Sequence, residues 1–252
     1  MPRRAREKSA TGVYHIILRG INKQIIFEEP GDFRTFISIL SCYRKKCGFD
    51  LYAYCLMSNH IHLLVKETEE DISSVMKKIE VTFVKWYNQK YKRVGNLFQE
   101  RYKSETVDTE EYLLQVFRYI HQNPLHAGLE TQVGKEYPWS SYKDYERGTA
   151  KRTDIKMMMD YFGNRQELLE FIHRQIYDVC MEDYTPRTLS DEESLQAIER
   201  LTGCTSPSDF QHMDLEERNE ALQRLLLVGF SIRQLNRLTG VSRHTLCSIR
   251  GQ

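Results

Sequence analysis

The chain has 252 residues, 40% hydrophobic and 28% charged, with 36 Lys and Arg against 35 Asp and Glu, for a formal net charge of +1. That size and mixture suffice for one large core or two, and they exclude general disorder. No basic start is followed by an apolar stretch and a cleavage site, and no apolar run is long enough to span a bilayer, so a cytoplasmic location is expected.

Cys42, Cys47, Cys55, Cys180, Cys204 and Cys247 are scattered, which indicates neither a disulfide framework nor a zinc ribbon. They are expected to be reduced thiols. The near-neutral total hides an uneven distribution: residues 218 to 252 carry six arginines against one acid, Glu220, while the stretch before them is acidic.

In chain order, MPRRAREKSATG is a basic arm without apolar period, and VYHIILRG is a first strand ending at Gly20. In EPGDFRTFISILSCYRKKCG, Phe33, Phe36, Ile37, Leu40 and Tyr43 recur at helical spacing before a stop at Gly48. FDLYAYCLM and HIHLLVKE form two strands around Ser58 and Asn59. From Asp71 to about Tyr91, apolar residues every three or four positions predict a long amphipathic helix with Lys77, Lys78 and Lys85 on its other face. VGNLFQERYKSETV returns to short strand or loop. DTEEYLLQVFRYIHQNP is a helix with Asp108 as N-cap, Glu111 completing a capping box and Pro124 ending it.

This order predicts an α+β fold, an antiparallel sheet with helices on one face. The apolar content falls near YPWSSYKDYERGTAKRTD, which sets expected boundaries of 1–147 for the α+β domain, 148–156 for a linker and 157–252 for an all-α domain. Within the latter, SIRQLNRLTG and VSRHTLCSIRG are two short helices about a turn at Gly240, with Ser242 as N-cap. That pattern, at about 230–250, fits a helix-turn-helix whose second helix carries the reading side chains. Arg233, Arg243, His244 and Arg250 are its expected DNA contacts. A plain helical hairpin with exposed arginines is the competing description.

His60 and His62 lie two apart in a strand, so their side chains share a face and can chelate one cation. Structural histidines also occur at this spacing. Further ligands come from RYIHQNPLHAGL, where Tyr119 and Asn123, four apart, lie together at the margin of the stripe Leu113, Val116, Phe117, Ile120. Tyr112 lies on the same side, and spacing alone does not choose between the tyrosines. His121 and His126 are expected at the surface or facing DNA, and His15 in a core or hydrogen-bonded role.

Four separated motifs, YHIILRGINKQIIF, AYCLMSNHIHLLV, GNLFQERYKS and YIHQNPLHAGL, resemble those of the single-tyrosine HUH transposases, in particular the REP-associated tyrosine transposases. The resemblance covers about residues 12 to 145. It implies a ferredoxin-like sheet, His60 and His62 as metal ligands, Tyr119 as nucleophile and Asn123 as third ligand, where some relatives carry glutamine. It also implies a metal-dependent DNA endonuclease and strand transferase acting on single-stranded or hairpin DNA of repeats or transposon ends, through a 5′-phosphotyrosine. Imidazole and phosphate donors together favour Mg²⁺ or Mn²⁺.

Arg3, Arg4 and Arg6 of the arm, with Arg19, Lys77, Lys78, Lys85, Arg101 and Lys103, are candidate DNA contacts. The chain is expected to work as a monomer or homodimer. A relaxase or replication initiator shares this chemistry, and an inactive DNA-binding regulator is the alternative from another class.

Overall fold

The computed structural model of the protein describes residues 6–174, 191–227 and 230–250. Val13–Arg19 forms β1, Pro30–Cys47 α1, Asp50–Leu56 β2, His60–Lys66 β3, Ile72–Lys90 α2, Lys103–Thr106 β4 and Glu110–His126 α3. The four strands make one antiparallel sheet in the order β2-β3-β1-β4. Two strand-helix-strand crossovers are thereby interleaved, which is the ferredoxin-like arrangement. β3 and β1 are the inner strands.

The alternation of the strands sorts the side chains. Tyr14, Ile16 and Leu18 of β1 and Ile61, Leu63 and Val65 of β3 enter a core shared with Phe36, Leu40, Val75, Ile79 and Phe83 of α1 and α2. The opposite face carries His15, Ile17 and Arg19 of β1 in register with Leu64, His62 and His60 of β3. An irregularity between Leu51 and Ala53 shifts the register of β2, so that Tyr54 and Leu56 return to the core. Whereas α1 and α2 share one face, α3 packs on β2 and β3 and buries Leu113, Val116, Phe117 and Ile120.

Both ends of α3 differ from expectation. Its N-cap is Thr109, whose hydroxyl accepts from Tyr112 N at 3.2 Å, while Asp108 accepts from Ser9 Oγ and Ala10 N, each at 2.7 Å. The aspartate is thus spent on anchoring the segment before β1. At the other end Pro124 lies inside the helix, which runs on to His126 and turns out at Gly128, φ +68°. A proline this close to the end removes a single internal donor, and Ala127 N and Leu129 N still find the carbonyls of Asn123 and Pro124.

The chain divides into two compact units, Met1–Asp178 and Val179–Gln252, about thirty residues beyond the boundary expected from composition. After α3 come α4, Tyr142–Arg147, α5, Ile155–Met159, and α6, Arg165–His173. Residues 148–156 are stitched to the sheet rather than left as a linker. Asp154 N donates to Leu51 O and Leu51 N to Asp154 Oδ2, both at 2.8 Å, and Arg44 pairs with the same carboxylate. Gln122 Nε2 of α3 donates to Ile172 O at 2.6 Å and Arg174 O at 2.8 Å, which attaches α6 as well. Loss of apolar content there reflects polar stitching, not a domain exit.

The second unit contains α7, Asp191–Thr202, α8, Pro207–His212, α9, Leu215–Leu227, α10, Ile232–Thr239, and α11, Arg243–Arg250. Its core gathers Phe210, Leu222, Leu225, Leu235, Leu238 and Leu246. Gly240, φ +73°, ends α10 in a conformation that disfavours side chains, and Ser242 Oγ accepts from Thr245 N at 3.1 Å to start α11. Among the described residues, no helix is long and apolar enough to cross a membrane.

Candidate active site

The sheet face opposite α1 and α2 holds the histidine pair. The rings of His60 and His62 are 5.0 Å apart, centroid to centroid, and nearly perpendicular. α3 brings the buried Tyr119 edge-on to His62, with centroids 5.6 Å apart, and His15 completes the group at 6.1 Å from Tyr119. Asn123 follows one turn later on α3 and is also buried. His126, exposed at the end of the helix, reaches 6.5 Å from Tyr119. The other tyrosine, Tyr112, donates its hydroxyl to Glu105 Oε2 on the edge strand.

Hydrogen bonds orient the imidazoles. Asn59 Nδ2 donates to Lys23 O at 3.2 Å, which turns its carbonyl oxygen toward His60 Nδ1, 2.6 Å away. An amide oxygen only accepts, so His60 donates from Nδ1, and in the neutral ring the lone pair lies on Nε2. Lys23 and its neighbour Asn22 hold this turn at φ +60° and +51°. His62 is tethered through Nδ1, 3.1 Å from His15 Nε2. Burial holds His15 neutral, with a pKa of about 3, and pushes His62 well below its ordinary value, with His60, His15 and Arg19 adding to the shift.

Two imidazoles on one rigid strand suit a divalent ion. Among the described residues no group of three or more His, Cys, Asp or Glu side chains is arranged to hold a metal. An ion at His60 and His62 would therefore complete its shell from amide, phenol, water or phosphate oxygens, as hard cations readily do.

His121 is the clearest correction. It is fully buried, with Nδ1 donating to Phe117 O and Nε2 meeting Ser141 Oγ, both at 2.8 Å. Ser141 Oγ in turn accepts from Tyr54 N at 2.9 Å, so the pair ties α3 to β2 instead of facing solvent. A helical wheel that counts histidine as polar misses this role, and the strand period of β3 says nothing of Asn59 in the turn before it. An Asn beside a histidine pair was the available signal.

The expected cationic contacts separate into groups. Arg6, Lys85, Arg101 and Lys103 line one open groove of about 1030 Å³ beside α2 and the Asn96–Lys103 segment. Arg6 donates to Tyr102 O at 2.8 Å and stacks on the Tyr102 ring at 3.5 Å. Glu80 in the same groove has its pKa raised to about 7 by burial, against the pull of Arg6 and Arg101. Arg19 stands opposite His60 in the sheet, and Gln99 N donates to its carbonyl at 2.8 Å. The groove segment thus runs beside the strand that neighbours the histidines.

Lys77 is exposed on α2, but Lys78 is bound to Glu70 at 2.5 and 2.8 Å and lies beside Cys47, a structural position. In the second unit Arg233, Arg243 and His244 are exposed. Arg3, Arg4 and the Arg250 side chain lie outside the described residues.

Comparison with known proteins bears on this arrangement directly. Residues 8–123, from the arm through Asn123, match the family model described as "Transposase IS200 like". That region is similar to the IS200-like transposases. The chain is also similar to a curated protein of Haemophilus influenzae named "Putative REP-associated tyrosine transposase", 25% identical over 155 residues, 56% of this chain and 84% of the relative. A solved structure of a REP-associated tyrosine transposase bound to a REP hairpin shares the fold, with a TM-score of 0.50 at 18% identity, over 62% of this chain and 94% of that one. The matched region contains His15, Asn59, His60, His62, Tyr119 and Asn123.

Proposed function

We propose that the protein cuts and rejoins DNA strands at a divalent-metal site in which Tyr119 is the nucleophile. The observation that carries this reading is the placement of the Tyr119 ring 5.6 Å from His62, on the face that His62 shares with His60. His60 and His62 would hold the ion, with Asn123 as third protein ligand. When bound, Mg²⁺ or Mn²⁺ polarises a non-bridging phosphate oxygen and stabilises the charge that builds up there.

Tyr119 Oη forms a bond to phosphorus as it loses its phenolic proton, and the P–O3′ bond breaks, the departing 3′ oxygen taking a proton. The product is a 5′-phosphotyrosine and a free 3′-hydroxyl. Attack by another 3′-hydroxyl reverses the step and joins the strands with no external energy source.

Single-stranded or hairpin DNA from repeats or transposon ends is the substrate this reading implies. The solved structure that shares the fold is named as bound to a REP hairpin, and the basic groove gives such DNA a track. The α10-α11 pair supports a second, duplex-reading contact through Arg243 and His244 at the exposed start of α11. An inactive regulator has less support, since histidines and tyrosine stand together with the imidazoles oriented.

The test is incubation with end-labelled hairpin DNA and Mg²⁺ or Mn²⁺, followed by denaturing electrophoresis. A labelled protein band that needs the metal supports the reading. Its absence on every hairpin and terminal-repeat sequence offered, with DNA binding retained, supports the regulator.

A further inference from the structure

We infer that His15 is a positioning residue that sets the tautomer of His62 and so presents His62 Nε2 to the metal; this rests on the metal-site reading above. A histidine ligating through Nε2 must carry its proton on Nδ1 and donate it to a partner. The atom in place at His62 Nδ1 is His15 Nε2, 3.1 Å away, with the rings stacked at 24° and centroids 5.3 Å apart. His15 is fully buried, and β1 and β3 hold the two residues on one face across the sheet, so neither ring can swing away without breaking packing.

The hydrogen bond has a consequence for His15 itself. When His62 donates, His15 accepts at Nε2 and keeps its own proton on Nδ1, an atom buried with no hydrogen-bond partner among the described residues. No partner at Nδ1 therefore requires the opposite tautomer of His15. A carboxylate is the commoner partner in metal sites, but a buried anion next to the scissile phosphate would repel it. Neutral imidazole supplies the acceptor without that charge. His60 is served differently, by the Asn59 amide on the turn, so the two ligands are oriented by independent devices.

The test is Mn²⁺ binding to the full chain, read by electron paramagnetic resonance without DNA, so that turnover plays no part. His15→Phe keeps the ring volume and deletes the acceptor, and it is expected to weaken Mn²⁺ about 10- to 100-fold. His15→Gln, whose side-chain oxygen can accept from His62, is expected to restore most of that loss. Equal Mn²⁺ affinity in the parent and His15→Phe, with His60→Ala binding weakly, overturns the role of His15 and leaves the metal site standing. A parent that binds no Mn²⁺, or binds it no better than His60→Ala, overturns the metal reading itself. Should His15→Phe fail to fold, ¹⁵N resonances of the Mg²⁺-loaded parent decide: a His62 proton on Nδ1 supports the inference, and one on Nε2 contradicts it.

Discussion

His60 and His62 are apolar-strand residues that happen to be imidazoles, and the physics of the strand makes them useful. Ile61, Leu63 and Val65 anchor β3 in the core, so alternation delivers both rings to the other face at a fixed spacing. Replacing either histidine by alanine is expected to lower single-turnover DNA cleavage by about 10²-fold or more, the scale of losing one electrostatic stabiliser. Quantifying the 3′-hydroxyl product on a labelled hairpin checks this. This much was legible in the sequence, because strand period and the tyrosine four residues before an amide are local patterns. The roles of Asn59, His15 and His121 were not, since each depends on a partner brought close by folding: Lys23 O, His62 and Ser141.

Glu80 offers a second residue-level prediction. Its pKa is raised to about 7, so the folded state holds a proton that the unfolded chain releases near 4.5. Stability from this group is therefore complete below about pH 4.5 and is lost as pH rises through 7, by about 1–3 kcal/mol. Glu80→Gln is expected to flatten the decline of urea-unfolding free energy between pH 5 and 8. An unchanged slope contradicts the assignment.

At the level of elements, α3 positions the tyrosine, and polar contacts hold it in place. His121 and Ser141 tie it to β2, while Gln122 attaches α6 to its outer side. Ser141→Ala strands the buried imidazole nitrogen and the Tyr54 amide, and is expected to cost about 1–3 kcal/mol by urea denaturation. The existence of α3 was readable from its apolar stripe. Its ends were not, because Asp108 has a long-range use and the proline falls where the helix has little left to lose. The domain boundary was misplaced for a similar reason: Asp154 and Arg44 bind a polar segment to the sheet across about a hundred residues of sequence.

For the whole molecule, the two units divide the proposed labour. The first holds the proposed strand-cutting site and the groove, and the second holds the α10-α11 pair with exposed Arg243 and His244. Arg243→Ala is expected to weaken binding to duplex DNA and reduce its salt slope by about 1, while leaving adduct formation on a short hairpin intact. Fluorescence anisotropy across a salt series measures the first effect. Slopes that match the parent's remove the second unit from DNA recognition.

The most direct test of the central claim locates the covalent bond. Trypsin cuts after Arg118 and separates the two tyrosines, leaving Tyr112 in Ser104–Arg118 and Tyr119 at the head of Tyr119–Lys135. After reaction with hairpin DNA, nuclease trimming and mass spectrometry, the nucleotide is expected on Tyr119–Lys135, with no adduct from Tyr119→Phe. A nucleotide on Ser104–Arg118, or an adduct that survives Tyr119→Phe and vanishes in Tyr112→Phe, would contradict the account.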